Sequence, residues 1–166
     1  MTAHTPQPRI DPECRGQHDP DERLALAVSI CEARGARLTK SRRLILELLW
    51  KSGRPTGAYE LVKSLQHTGI ESVGPPTVYR ALEFLMKQGL VSKIESRNAY
   101  IPCTHPERNH ICLFFLCGSC GNSVEFEDQR LERLIAENAA QLKFKAARRV
   151  VEVEGICERC LTASGA

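Results

Sequence analysis

The chain has 166 residues, 42% of them hydrophobic, 26% charged and 5% aromatic, with a formal charge of +3. That length allows one domain or two small ones and is enough to bury a core. No run approaches the roughly 18 apolar residues of a membrane span, and the opening MTAHTPQPRIDPEC has no apolar secretory segment. A cytoplasmic protein with no membrane partner is expected. Cysteines stay reduced there, so eight of them in an otherwise ordinary composition must be buried thiols, metal ligands or redox centres.

Charge and sulfur are unevenly spread. Residues 30–93 carry 11 Lys and Arg against 5 Asp and Glu, a balance of +6, while residues 99–166 carry 8 against 9, a balance of −1. Six cysteines (103, 112, 117, 120, 157 and 160) fall in the second stretch. A basic part followed by a cysteine-rich part points to two units with different tasks. The expected division is a tail over 1–20, a first domain over 21–102 and a second over 103–166. The tail holds four of the nine prolines and little apolar content, which predicts disorder, with no site at Cys14 or His18.

Asp19-Pro20-Asp21-Glu22 is a helix start, with a capping Asp and a first-turn Pro. Leu24, Ala27, Val28 and Cys31 then recur at helical spacing, which makes Cys31 a small buried hydrophobe. Thr39 opens a second helix as far as Trp50, with Leu44, Ile45, Leu48 and Leu49 inward and Gly53 and Pro55 as the stop. A third helix is expected from Thr56 to Gln66. Gly74-Pro75-Pro76 opens a fourth, closed by Gly89, with Val78, Leu82 and Leu85 as its apolar stripe. After Gly89 the period changes to two, and 90–95 and 99–101 read as a hairpin around Ser96-Arg97-Asn98.

Small helices followed by a hairpin is the order of a winged helix-turn-helix, whose last helix before the hairpin enters the DNA major groove. Prolines at the start of that helix fit an end facing phosphates, where free N–H groups favour anions. Arg80 suits a fork onto guanine, and Tyr79 a thymine methyl or a phosphate. Arg37, Lys40, Arg42 and Arg43, near the start of the second helix, suit backbone phosphates. On charge alone a solvated basic face explains the same residues; the helix-hairpin order favours DNA.

Cys117-Gly-Ser-Cys120 and Cys157-Glu-Arg-Cys160 are two C-x-x-C knuckles separated by 36 residues. Two residues between thiolates let one turn aim both sulfurs at one ion, and two turns make a tetrahedral site of the kind zinc occupies. The intervening chain has room for a strand over 122–126, a helix through Leu131, Leu134, Ile135, Asn138 and Leu142, and a strand over 148–154. A closed all-thiolate site contributes folding energy rather than chemistry. A redox pair is the competing reading, but it needs one reactive pair at a helix start. A second, mixed cluster, Cys103, His105, His110 and Cys112 with Glu125 and Glu127, also suits zinc. Surface histidines and a buried Cys112 are its alternative. No activated nucleophile and no open metal site with a general base is evident, so neither an enzyme nor a small organic substrate is expected.

Taken together, RLTKSRRLILELL, PPTVYRALEFLMKQGLV, CGSCG and GICERC resemble the ferric uptake regulator family, in its zinc uptake regulator branch. The resemblance spans residues 22 to 161. It implies an α+β fold: an N-terminal winged helix, then a small α/β dimerisation domain. The implied function is that of a zinc-responsive repressor, which binds operator DNA as a metal-loaded homodimer and controls zinc uptake and homeostasis genes. Tyr79 and Arg80, with Thr77 beside them, match the operator-reading positions. Cys117, Cys120, Cys157 and Cys160 match a structural zinc site, and Cys103, His110 and Glu125 match three ligands of a regulatory one, giving two zinc ions per subunit. The branch often has a histidine in the first wing strand, where this chain has Ser92, so His105 is the expected fourth ligand and water or Cys112 the fallback. Iron-sensing members typically carry a histidine-rich run before the first C-x-x-C. Its absence beside a thiolate at Cys103 favours zinc over ferrous iron. An iron- or peroxide-responsive regulator and a thiol redox sensor are the rival readings.

Overall fold

The computed structural model describes residues 19–67, 74–107, 111–146 and 149–163. The tail expectation for 1–18, with Cys14 and His18, and the ligand expectation for His110 therefore lie outside the described residues. The chain divides into two compact units, Arg15–Asn109 and His110–Ala166. This division falls beyond the 102/103 boundary expected from composition, so Cys103 and His105 go with the first unit.

The first unit runs α1 (Pro20–Ala33), α2 (Lys40–Ser52), β1 (Thr56–Gly57), α3 (Ala58–His67), α4 (Pro75–Lys87), β2 (Val91–Ile94) and β3 (Ala99–Pro102). The Asp19 carboxylate accepts the Asp21 N–H at 3.1 Å and caps α1. Ala27, Ile30 and Cys31 are buried on that helix. In α2 the buried residues are Ile45, Leu46 and Leu49, while Leu44 and Leu48 are half-buried, so the inward arc is rotated from the expected one. The reason is tertiary: α2 touches α3, α4 and β3, and a helix with neighbours on several sides buries a wide arc. The third helix starts at Ala58 rather than Thr56. Thr56 pairs with Tyr100 across β1 and β3, and its hydroxyl donates to Ser52 Oγ at 2.9 Å, which holds this residue in a strand.

The hairpin pairs β2 with β3 antiparallel, from Val91↔Pro102 to Ile94↔Ala99, in a sheet of order β1-β3-β2. Asn98 turns it at φ 46°, a left-handed conformation that Asn tolerates better than most residues. Leu46, Leu49, Leu61, Leu65, Val78, Leu82 and Leu85 form the centre of this unit's core.

The second unit runs β4 (Cys112–Cys117), β5 (Ser123–Phe126), α5 (Gln129–Gln141), β6 (Val150–Gly155) and α6 (Glu158–Ala163). Strand β4 is central: antiparallel to β5, from Leu113↔Phe126 to Leu116↔Ser123, and parallel to β6, from Cys112↔Val150 to Cys117↔Gly155. Sequence patterning predicts neither β4 nor α6. Leu113, Phe114, Leu116 and Cys117 are buried while Phe115 between them is exposed, so the strand is an unbroken apolar run without the polar alternation that reveals a strand. Leu142, expected on the α5 face, caps the end of that helix and is exposed.

Candidate metal centre and nucleic-acid interface

The parallel pairing of β4 with β6 delivers both knuckles to one end of the sheet. Cys117 ends β4 directly opposite Gly155, which ends β6. The Gly118 N–H donates to the Gly155 carbonyl at 2.9 Å and binds the two exits together. The first knuckle closes on itself: Cys117 N–H donates to Asn122 O at 2.8 Å and Gly121 N–H to Cys117 O at 3.1 Å. Gly121 sits at φ 73°, which a side chain would strain. Cys157 lies between β6 and α6, and Cys160 lies on α6.

One ligand atom from each of Cys117, Cys120, Cys157 and Cys160 lies within 4.8 Å of the others. Cys120 Sγ and Cys157 Sγ are 3.7 Å apart. Four sulfurs about 2.3 Å from a common tetrahedral centre stand about 3.8 Å from one another, so this spacing fits zinc. The surrounding N–H groups fit it too. Cys117 Sγ accepts from the backbone of Cys120, Cys157 and Ser119, the Cys157 donor at 3.4 Å, and Cys120 Sγ accepts from the backbone of Asn122. These donors stabilise the thiolate a metal requires, pulling the Cys117 thiol down to about 6 and lowering that of Cys120. Ser119 favours the Cys160 thiolate, but contacts with the Cys120 and Cys157 sulfurs outweigh it and push Cys160 up to about 11. With four sulfurs gathered in one cluster, a lone redox pair is the poorer description.

Arg159 is a contributor that motif reading misses. Its guanidinium hydrogen-bonds Cys120 and lies close enough to Cys157 and Cys160 to interact with their charge. A cation there offsets the surplus negative charge of four thiolates around a divalent ion. The available signal was a basic residue inside a C-x-x-C spacer.

The mixed cluster is divided between the units. Cys103 is buried just after β3, its N–H donating to Leu90 O at 3.0 Å. His105 Nδ1 stands 3.4 Å from Glu107 Oε1. Both belong to the first unit, whereas Glu125, half-buried on β5 opposite Phe114, belongs to the second. Ser92 is buried on β2. Cys112, half-buried, begins β4. Among the described residues, the four cysteines are the group of three or more Cys, His, Asp or Glu that could hold an ion.

The fourth helix buries Val78, Ala81, Leu82 and Leu85 and turns Tyr79 and Arg80 outward, Tyr79 being 53% exposed. Among the described residues Arg80 has no ion-pair partner, and it is exposed. Thr77 is half-buried in the first turn. The expected free N–H groups at this end are not there. Pro75 and Pro76 have none, and those of Thr77 and Val78 both point at Gly74 O, at 3.0 and 3.4 Å. Arg37 and Lys40 are exposed, and Arg43 is exposed but paired with Glu47 at 2.7 Å. Arg42 differs from the phosphate-binding expectation: its guanidinium lies 3.5 Å from the Phe84 ring centre and donates to Arg37 O at 2.7 Å.

A model of the ferric uptake regulator family matches residues 33–154. The chain belongs to the ferric uptake regulator family. Within that family the zinc uptake regulation protein of Escherichia coli strain K12 is 36% identical over 141 residues, covering 84% of this chain and 82% of that protein. The ferric uptake regulation protein of Campylobacter jejuni is 30% identical over 132 residues, covering 76% and 80%. A solved zinc uptake regulator complexed with zinc and DNA has 34% identity and a TM-score of 0.83, covering 90% of this chain and all of that one. The α+β fold expected from the sequence, a winged helix followed by a small α/β domain, is the fold of this family member.

Proposed function

We propose that this chain is a zinc-responsive transcriptional repressor, a cytoplasmic homodimer that binds operator DNA when metal-loaded and governs zinc uptake and homeostasis genes. The observation that carries this reading is the likeness, along 90% of the chain, to a zinc uptake regulator solved with zinc and DNA. The four gathered cysteines support it. Zinc held by Cys117, Cys120, Cys157 and Cys160 would supply a closed cross-link that contributes folding energy. These four residues pin the exits of β4 and β6 and keep the sheet register of the second unit.

Cys103, His105, His110 and Glu125 are the proposed regulatory ligands, making two zinc ions per subunit. The Cys103 thiolate biases this set toward zinc over ferrous iron, because sulfur is the softer donor. The ligands come from both units, so loading restricts how the units move against each other. Arg80 forks onto a base edge, Tyr79 and Thr77 contact the same groove, and Arg37, Lys40 and Arg43 hold phosphates. A dimer presents two copies of α4 to successive major grooves. Metal and operator then favour the same arrangement, and each must raise the other's affinity. Nothing in this role requires catalysis.

Fluorescence anisotropy on a candidate operator, with and without zinc, tests the proposal. Affinity should rise on the order of 100-fold with zinc, a shift of a few kcal/mol, and ferrous iron should not replace it. Equal affinity with and without zinc would overturn the switch.

A further inference from the structure

Arg42 belongs to a run of basic residues, yet it is half-buried and its guanidinium is engaged within the first unit. The guanidinium lies flat enough on Phe84 to bring its carbon 3.5 Å from the ring centre. Phe84 is on the last turn of α4 and packs against the core of the first unit. The same guanidinium donates to Arg37 O at 2.7 Å, so one side chain joins the loop before α2 to α4. A second arginine reaches the same helix one turn on, through a carbonyl bond and not a ring. Arg34, the C-cap of α1, donates through Nη1 to the carbonyl of Gln88, the C-cap of α4. Two cations from the α1–α2 corner thus grip the C-terminal turn of the helix that carries Tyr79 and Arg80 about one turn before Phe84. Stacking and a planar fork are what Arg offers and Lys does not.

We propose that Arg42 is a positioning residue for α4, acting through Phe84 and without touching nucleic acid. This rests on the DNA-binding reading above. A helix end held by stacking on one side and a carbonyl bond on the other cannot pivot. A tilt or rotation there would displace Tyr79 and Arg80, about one turn earlier on the same helix. The inference removes Arg42 from the phosphate contacts and leaves Arg37, Lys40 and Arg43 in that role.

The experiment uses the full zinc-loaded chain with two readouts: amide hydrogen exchange of α4 without DNA, and operator affinity as a function of salt. Arg42→Ala and Arg42→Lys should both speed exchange across 75–87 while leaving α5 unchanged. Both should lower operator affinity about tenfold at every salt concentration, with the slope of log affinity against log salt kept at its wild-type value. Phe84→Leu, which keeps an apolar side chain and loses only the stacking ring, should do the same, and the double variant should be no worse than either single. A phosphate contact gives the opposite pattern: Arg42→Ala lowers the slope by about 1, Arg42→Lys behaves as wild type, and exchange is unchanged. That pattern overturns the proposal. Wild-type protein that fails to bind any operator would count against the DNA-binding reading, and the exchange readout would still decide whether Arg42 holds α4.

Discussion

Cys120 Sγ and Cys157 Sγ stand 3.7 Å apart although 36 residues separate their knuckles. A zinc ion holding this group contributes about 10–16 kcal/mol in small zinc domains, comparable with the whole stability of a typical fold. Cys157→Ser should therefore lose that ion, unfold the second unit and dissociate the dimer. Metal analysis with light scattering checks this; a dimeric variant with a cooperative melt would remove the structural role.

Cys103→Ser should have the opposite profile. Cys103 lies in the first unit and outside the four-sulfur group. The variant should keep its structural zinc and its dimer, while its operator affinity stops responding to added zinc. His105→Ala should need more than about tenfold more zinc for half-maximal binding, since even the outer partners of a metal site are worth that much. A Cys103→Ser protein that still gains affinity with zinc would refute the ligand assignment.

On the nucleic-acid side, Arg80→Ala should cost about 1–3 kcal/mol at the operator and relax preference at one base position. Lys40→Ala should weaken all sequences alike and reduce the salt slope by about 1. Competition assays with single-base operator variants separate the two. Uniform weakening by Arg80→Ala would reassign Arg80 to the phosphates.

Asp128 gives a pH prediction. Its carboxylate caps α5 by accepting the Arg130 N–H at 2.7 Å and pairs with the Arg130 guanidinium at 2.9 Å. The Arg130 side chain, then the backbone donors, pull its pKa down to about 2, below the ordinary value of about 3.9. A lowered carboxyl stabilises the fold above its unfolded pKa and stops doing so as the pH falls toward the folded one. Asp128→Ala should cost about 1 kcal/mol, the same at pH 8 as at pH 5, and the difference should shrink only below about pH 4. Urea unfolding of both proteins measures it. A cost that fades between pH 7 and 5 would assign the effect to another group.

Much of this was legible in the chain before any fold was known. Local signals placed the helices of the first unit and its hairpin, because capping residues, glycine stops and a change of period act over a few residues. The same locality made the two knuckles visible. Strand β4 was hidden, since its unbroken apolar run, with Phe115 apolar although exposed, has no polar alternation. The helix-start N–H groups of α4 were misjudged, because a proline-rich entry predicts a helix end without saying which donors remain.

The sequence by itself determined the donor types, their spacing within each knuckle and the outward pair Tyr79 and Arg80, all of which are properties of one turn. Only the tertiary structure decided that the knuckles meet, because that depends on β4 and β6 running parallel and leaving the sheet at the same end. It also decided which arginine of a basic run is spent internally. Charge is a property of the residue, but whether a guanidinium faces water or an aromatic ring depends on what another helix brings beside it.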